Sequence, residues 1–303
     1  MLQGSSPAHL ELSTDTQAKD AQARFLAQLA NDCDSDNLVI PSFPDVTLRI
    51  RNLADDANTS VQQLAAALAV EPVLAAQVLR LANSALYRQS GPAETSLDRA
   101  IQRVGMAGVR DMAVMFGMRQ LALSPVVSAY RDYLREVWEH SLLVAFMARS
   151  LGLRAKMANL GSVQLAGLLH DLGKFYVIAR ASDFPDLFGS KDRVQRIAAE
   201  WHGAIGRALL ESWALSPALQ EVAEEHELLD RDPNRLLPDL ADVVGVANAI
   251  ADLPEGEEHS LLVTVAVKRL NISAEMMMTA RAEAVAEAEV ARGAFPAFGN
   301  PRH

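Results

Sequence analysis

Residues 166–175 read AGLLHDLGKF. Small and apolar residues lead into His170-Asp171, and a glycine and a lysine follow directly. An imidazole next to a carboxylate at the end of an apolar helical stripe allows two readings. The pair holds a metal, or it caps a helix and ties a core together. Residues on both sides of this stretch bear on that choice.

Working outward, the stripe Val163, Ala166, His170 has the three-and-four spacing of one helix face. Upstream, Val137, His140, Val144, Met147 and Leu151 form a second such stripe. Downstream, His202 falls with Ala198, Ile205 and Leu209, and His226 follows Leu219 and Val222. Four separate helices therefore each turn one imidazole inward. His9, His259 and His303 lie in polar or terminal surroundings. One histidine on an apolar face is ordinarily a core residue with a single hydrogen bond. Four, with Asp171 beside one of them, form a donor set that borderline divalent metals such as iron, manganese, zinc or nickel accept. Helix bundles build such sites from inward residues on facing helices. Glu136, one turn before His140, could be a further ligand or orient that ring. Without a metal, the same residues would form a hydrogen-bonded cluster that fixes four helices against one another.

The rest of the chain reads as helix after helix. Half of the 303 residues are apolar and only 5% are aromatic, a balance suited to closely packed helices. Residues 1–37 are expected to be a polar tail with a short helix around Phe25, Leu26 and Leu29. Pro41 and Pro44 suggest an extended lead-in. Ser60 is a suitable N-cap for a helix over 61–69, and Pro72 suits the first turn of one reaching about 82. Residues 83–96 are a loop, with Asn83 and Ser84 as helix end and turn. Helices are expected over about 97–105, 107–122, 130–151, 156–171, 191–213, 216–228, 238–252 and 260–270, with Gly105, Gly152 and Gly173 as terminators. Residues 273–293 form a helix that either docks a partner or covers the bundle's own core, with the second preferred. No alternating strand of useful length appears. The expected fold is all-α: an upstream helical half over 38–125, a second half over 126–270, and a C-terminal helix and tail over 271–303.

Charge and composition narrow the function classes. The net charge is -10, and residues 200–258 hold fourteen Asp or Glu against three Arg. That disfavours a DNA partner, since a phosphate backbone needs Lys and Arg opposite it. The pair 61–69 and 72–82 could suggest a helix-turn-helix, but Arg80 is the only basic residue of its second helix. No apolar run approaches the roughly 18 residues of a membrane span. Cys33 is the single cysteine, so a disulfide within the chain is impossible and a reducing, cytoplasmic setting is expected.

Longer phrases bring a family into view. The order H…HD…H…H, with LLHDLGK, resembles the HD superfamily of metal-dependent phosphohydrolases. IPSFPDVTLRIRNLADD, EPVLAAQVLRLANSALY and SLDRAIQRVGMAGVRDMAV, followed by HGAIGRALLESWALSPALQEVAEEH, resemble the HDOD domain, a bacterial relative, over roughly residues 38–250. The resemblance implies an HDOD-specific helical half followed by an HD-like half. It implies a regulatory or scaffolding module of bacterial signal transduction, with a signalling protein or a nucleotide second messenger as partner. The alternative it implies is an HD-type phosphohydrolase acting on a cyclic dinucleotide or nucleotide. The family's ligand positions fall on His140, His170, Asp171, His202 and His226, with Glu136 at an acidic position. Asp171 and Lys174 would serve catalysis, the lysine near substrate phosphate. Two departures favour the non-catalytic reading. Glu225 and Glu227 flank His226 where catalytic relatives carry a histidine pair, and Asn248 stands where they carry an aspartate, with Asp252 one turn further on. A neutral amide is a poorer ligand than a carboxylate.

Overall fold

The computed structural model describes residues 7–34, 44–84, 87–88, 93–122, 128–213, 215–232 and 234–293. Among these residues every regular element is helical. The upstream elements are α1 (Pro7–Asp34), α2 (Pro44–Asp55), α3 (Val61–Leu68), α4 (Pro72–Asn83) and α5 (Leu97–Ala122). Then come α6 (Arg131–Arg154), α7 (Leu160–Leu169), α8 (Leu172–Arg180), α9 (Pro185–Phe188), α10 (Lys191–Ser212) and α11 (Pro217–Glu225). After α12 (Leu240–Asp252) and a 3-10 helix (Glu258–Val263), the chain ends in α13 (Val265–Leu270) and α14 (Ala274–Gly293). No helix among the described residues is long and apolar enough to cross a membrane.

Local chemistry sets several boundaries. The Ser60 hydroxyl accepts from the Gln63 amide while the Gln63 side chain accepts from Ser60 N–H, a reciprocal cap that starts α3. Pro72 opens α4, where its missing N–H costs nothing. Gly105, at φ 82°, divides α5 into the two expected stretches. The end expected at Gly152 comes later. Helix α6 runs to Arg154 and closes with Lys156 at φ 58°, where Met157 N–H reaches back to Gly152 O at 2.8 Å. That left-handed residue also delays the next helix, which starts at Leu160 after its cap Asn159 rather than at 156. Asn83 does more than end α4: its amide bonds both Glu94 O and Glu94 N–H, closing the loop that follows. Pro41 and residues 123–127, where the expected lead-in and break fall, lie outside the described residues, and Pro44 is the first residue of α2.

Helix α6 is the axis of the second half, packed along α7, α12 and α14, while α8, α10 and α11 form a second row. Helices α2, α3 and α4 surround α5. The halves meet where α4 touches α7, and the Trp138 indole donates to Val70 O at 2.8 Å. The short N-terminal helix expected near Phe25 is instead 28 residues long. It packs Phe25 among Tyr176, Phe184, Phe188 and Trp201 with ring centroids 5.4–5.9 Å apart. Asp32 of α1 is buried and accepts from Tyr176 Oη at 2.8 Å and Arg180 Nε at 2.9 Å. Helix α14 covers the bundle's own core with Met277, Ala280, Ala284 and Ala288. Glu283 ties it to Ser150 and Arg154 of α6.

Candidate metal centre

The stretch 166–175 places its polar pair by close helix packing. Helix α7 ends at Leu169, and Asp171 is the residue before α8. A Cβ on Gly173 would lie 2.1 Å from the carbonyl oxygen of His202, so only glycine lets α8 approach α10 this closely. A Cβ on Gly245 would meet His226 O at 2.7 Å, so α12 also presses close to the end of α11. Backbone contact thus sets the separation of the histidines.

His170 and Asp171 are fully buried, and His202 and His226 are each 2% exposed. The ring centroids of His140 and His170 lie 5.3 Å apart, those of His170 and His226 4.7 Å, and those of His202 and His226 5.1 Å. The Asp171 carboxylate sits among them. Oδ2 is 2.6 Å from Lys174 Nζ, 3.3 Å from His170 Nε2 and 3.9 Å from His140 Nε2. Oδ1 is 3.4 Å from His202 Nε2 and 3.9 Å from His226 Nε2. Two sets of convergent donor atoms result, His140–His170–Asp171 and Asp171–His202–His226. Glu136 belongs to neither and is exposed on α6.

Backbone carbonyls fix the tautomers. His170 Nδ1 lies 2.8 Å from Gly167 O, His202 Nδ1 2.8 Å from Ala199 O, and His226 Nδ1 3.0 Å from Val222 O. A carbonyl only accepts, so each Nδ1 carries the proton and each Nε2 offers a lone pair inward. This is the arrangement of metal-ligating histidines. His202 Nε2 and His226 Nε2 then face each other at 3.2 Å, both as acceptors. His170 Nε2 and Asp171 Oδ1 are buried without a hydrogen-bond partner. His140 differs. Its Nε2 donates to Asn248 Oδ1 at 2.8 Å, and its Nδ1 faces Asp252 at 3.8 Å.

Burial, and then His170, push His140 below the usual histidine range, and burial does the same to His202. His226 falls to about 3, through burial and then His170. Burial works against the Asp171 carboxylate, but His170, Lys174 and His202 outweigh it and hold its carboxyl well below the ordinary range. The centre is therefore the Asp171 carboxylate, paired with Lys174, among rings of which His140, His202 and His226 favour the neutral form. Buried lone pairs with no donor to meet fit a cation.

Two neighbours of the cluster were not legible as such. Tyr133 is pushed up by burial and then by Asp171 and Glu136, which places its phenol in the field of the centre. Its position seven residues before His140 extends the α6 stripe by two turns, a signal the sequence does carry. Glu227 brings Oε1 to 3.7 Å from His202 Nε2, although from sequence it reads only as a lost histidine.

The sequence profile of the HDOD domain matches residues 40–229, more than half of the chain. No curated protein matches. Solved structures do. The response regulator MmoQ from Methylococcus capsulatus is 21% identical, with 81% of this chain and 98% of that one covered and a TM-score of 0.62. A virulence factor from Campylobacter jejuni is 17% identical, covering 86% and 96% with a TM-score of 0.54. A candidate metal-dependent phosphohydrolase from Shewanella amazonensis is 26% identical over 90% of this chain and 99% of its own, with a TM-score of 0.49. These two likenesses above 0.5 agree with the all-α fold, and the profile match settles its kind: the chain belongs to the HDOD domain family.

Proposed function

We propose that this chain is a non-catalytic signalling module whose buried cluster holds a single divalent cation. The observation that carries the cation is the facing pair His202 and His226, two lone pairs 3.2 Å apart beside an unpartnered Asp171 oxygen. A shared proton is a poor remedy, because burial holds both rings below their usual range. His170, Asp171, His202 and His226 would hold the ion. Three imidazoles and one carboxylate suit zinc, iron, nickel or manganese. A divalent ion there supplies positive charge and acidifies a bound water.

The chain's other residues do not carry that chemistry forward. Asn248 contributes a neutral amide and engages the His140 nitrogen that faces the centre. Lys174 is neutralised against Asp171 at 2.6 Å and is not available as a free charge for phosphate. Glu136 is exposed and apart from the donor groups. The signalling role follows the family, and MmoQ is described as a response regulator. The second reading, a metal phosphohydrolase, draws on the same retained His–Asp set and on Lys174 at its edge.

The discriminating experiment loads the protein with manganese or iron and mixes it with a cyclic dinucleotide. No hydrolysis above that of the Asp171→Ala variant is expected. Turnover that this substitution abolishes would replace the regulatory reading with the hydrolytic one.

A further inference from the structure

The segment that leaves the candidate centre carries exposed apolar side chains that no described residue covers. Leu228, Leu236, Leu237, Leu262 and Val263 are 58, 90, 77, 39 and 73% exposed, five of the ten exposed large apolar side chains among the described residues. Hydrogen bonds draw the two stretches they occupy into one surface. Ala266 N–H donates to Leu229 O at 2.9 Å, and Val265 N–H to Asp230 Oδ1 at 2.8 Å. The Arg269 guanidinium bonds Asp232 O at 2.7 Å and Arg235 O at 3.1 Å. The stretch 229–235 is therefore tied to α13, and the leucines beside it are exposed. Exposed apolar groups gathered on one face mark interaction sites rather than ordinary surface.

The charge around this face is one-sided. Residues 227–263 contain nine Asp or Glu and two Arg. Both arginines are spent internally: Arg231 on Glu221, Glu225, Asp239 and Asp242, and Arg235 on Glu221 and Asp239. Lys268 turns its ammonium to Val263 O at 2.6 Å. Glu227, Asp252, Glu255 and Glu257 have no Lys or Arg partner among the described residues. Glu227 and Asp252 side chains are 61% and 70% exposed.

We infer that this face receives a cationic amphipathic helix of a partner protein. Its apolar side would meet Leu228, Leu236 and Leu237, and its Lys and Arg the acidic rim. The net charge of -10 disfavours a second copy of this chain, an anionic lipid surface and nucleic acid. The face begins at Leu228, two residues after His226, and Glu227 between them lies 3.7 Å from His202 Nε2, so the partner would sit beside the centre. The inference stands on exposure and charge and is independent of any cation.

The test measures fluorescence anisotropy of synthetic peptides with the full chain. The probes are a Leu/Lys amphipathic helix, its Leu/Glu counterpart and a scrambled Leu/Lys peptide. The Leu/Lys helix is expected to bind, and the other two to bind weakly or not at all. Combining Leu236→Ser with Leu237→Ser, which touches no core residue, should weaken binding about tenfold or more, as loss of a central apolar anchor does. Leu153→Ser, at an exposed leucine on α6 away from this face, should change nothing. Equal binding by the double variant, or by the scrambled peptide, would overturn the inference. So would a concentration-dependent dimer that the double variant abolishes, since the occupant would then be a second copy.

Discussion

Asp171 is the charge that four imidazoles and Lys174 surround, so its removal tests the centre residue by residue. Asp171→Asn keeps the shape and strands the ammonium. Urea unfolding should show a loss of about 3 kcal/mol, the lower end for a broken buried pair because Lys174 is partly exposed. An unchanged midpoint would mean that the carboxylate is not the hub. The histidines give the centre a pH signature. In the unfolded chain an imidazole takes up its proton near 6.5, whereas His226 in the fold resists until about 3. Between those values the unfolded state binds more protons, so stability falls as pH falls. His140 and His202 shift the same way and add to it. In chelator-treated protein the urea midpoint should therefore drop between about pH 6.5 and about pH 4.5, and His226→Leu should flatten the slope. A midpoint constant over that window would show that the rings are not buried as neutral groups.

Helices were legible where a cap, a proline and a regular stripe agreed. The Ser60 cap, Pro72 and the four histidine stripes each lead to the correct element. Boundaries are lost where a glycine reads as a terminator. Gly173 lies inside α8 (Leu172–Arg180), a helix missing from the expected elements because a stop is expected there. Gly152 lies inside α6, where a Cβ would meet Val163 Cγ1 at 3.1 Å, and the left-handed residue that ends the helix is Lys156, which has no compositional mark. The extent of α1 was hidden for another reason. Its burial depends on an aromatic nest drawn from α8, α9 and α10, and no local pattern reports that. Phe25→Ala should cost that docking about 3 kcal/mol, read as faster amide exchange along α1 with the other helices unchanged. Exchange that rises everywhere equally would mean that α1 is not a separable unit. Gly173→Ala pushes a methyl into the His202 carbonyl, against backbone that cannot yield. A loss of about 2–3 kcal/mol is expected, together with poorer cation uptake, because α8 must move away from α10. Wild-type stability would contradict the close approach that sets the site.

Across the whole molecule, α7, α8, α10 and α11 converge on one buried carboxylate, and an ion bound there would link them. Binding to the folded state alone adds about 2.7 kcal/mol at a hundredfold excess over the dissociation constant. Chelation should then lower the melting temperature and leave the helices formed, since Phe25, Trp138 and the α14 face hold the core without it. The most direct test is the metal content of protein purified without chelators, beside His226→Ala prepared in the same way. One divalent ion per chain in the parent and none in the folded variant is the expected result. A parent chain that is metal-free and takes up no zinc, iron, nickel or manganese when offered would contradict the account at its centre, because the facing lone pairs of His202 and His226 would then need no cation.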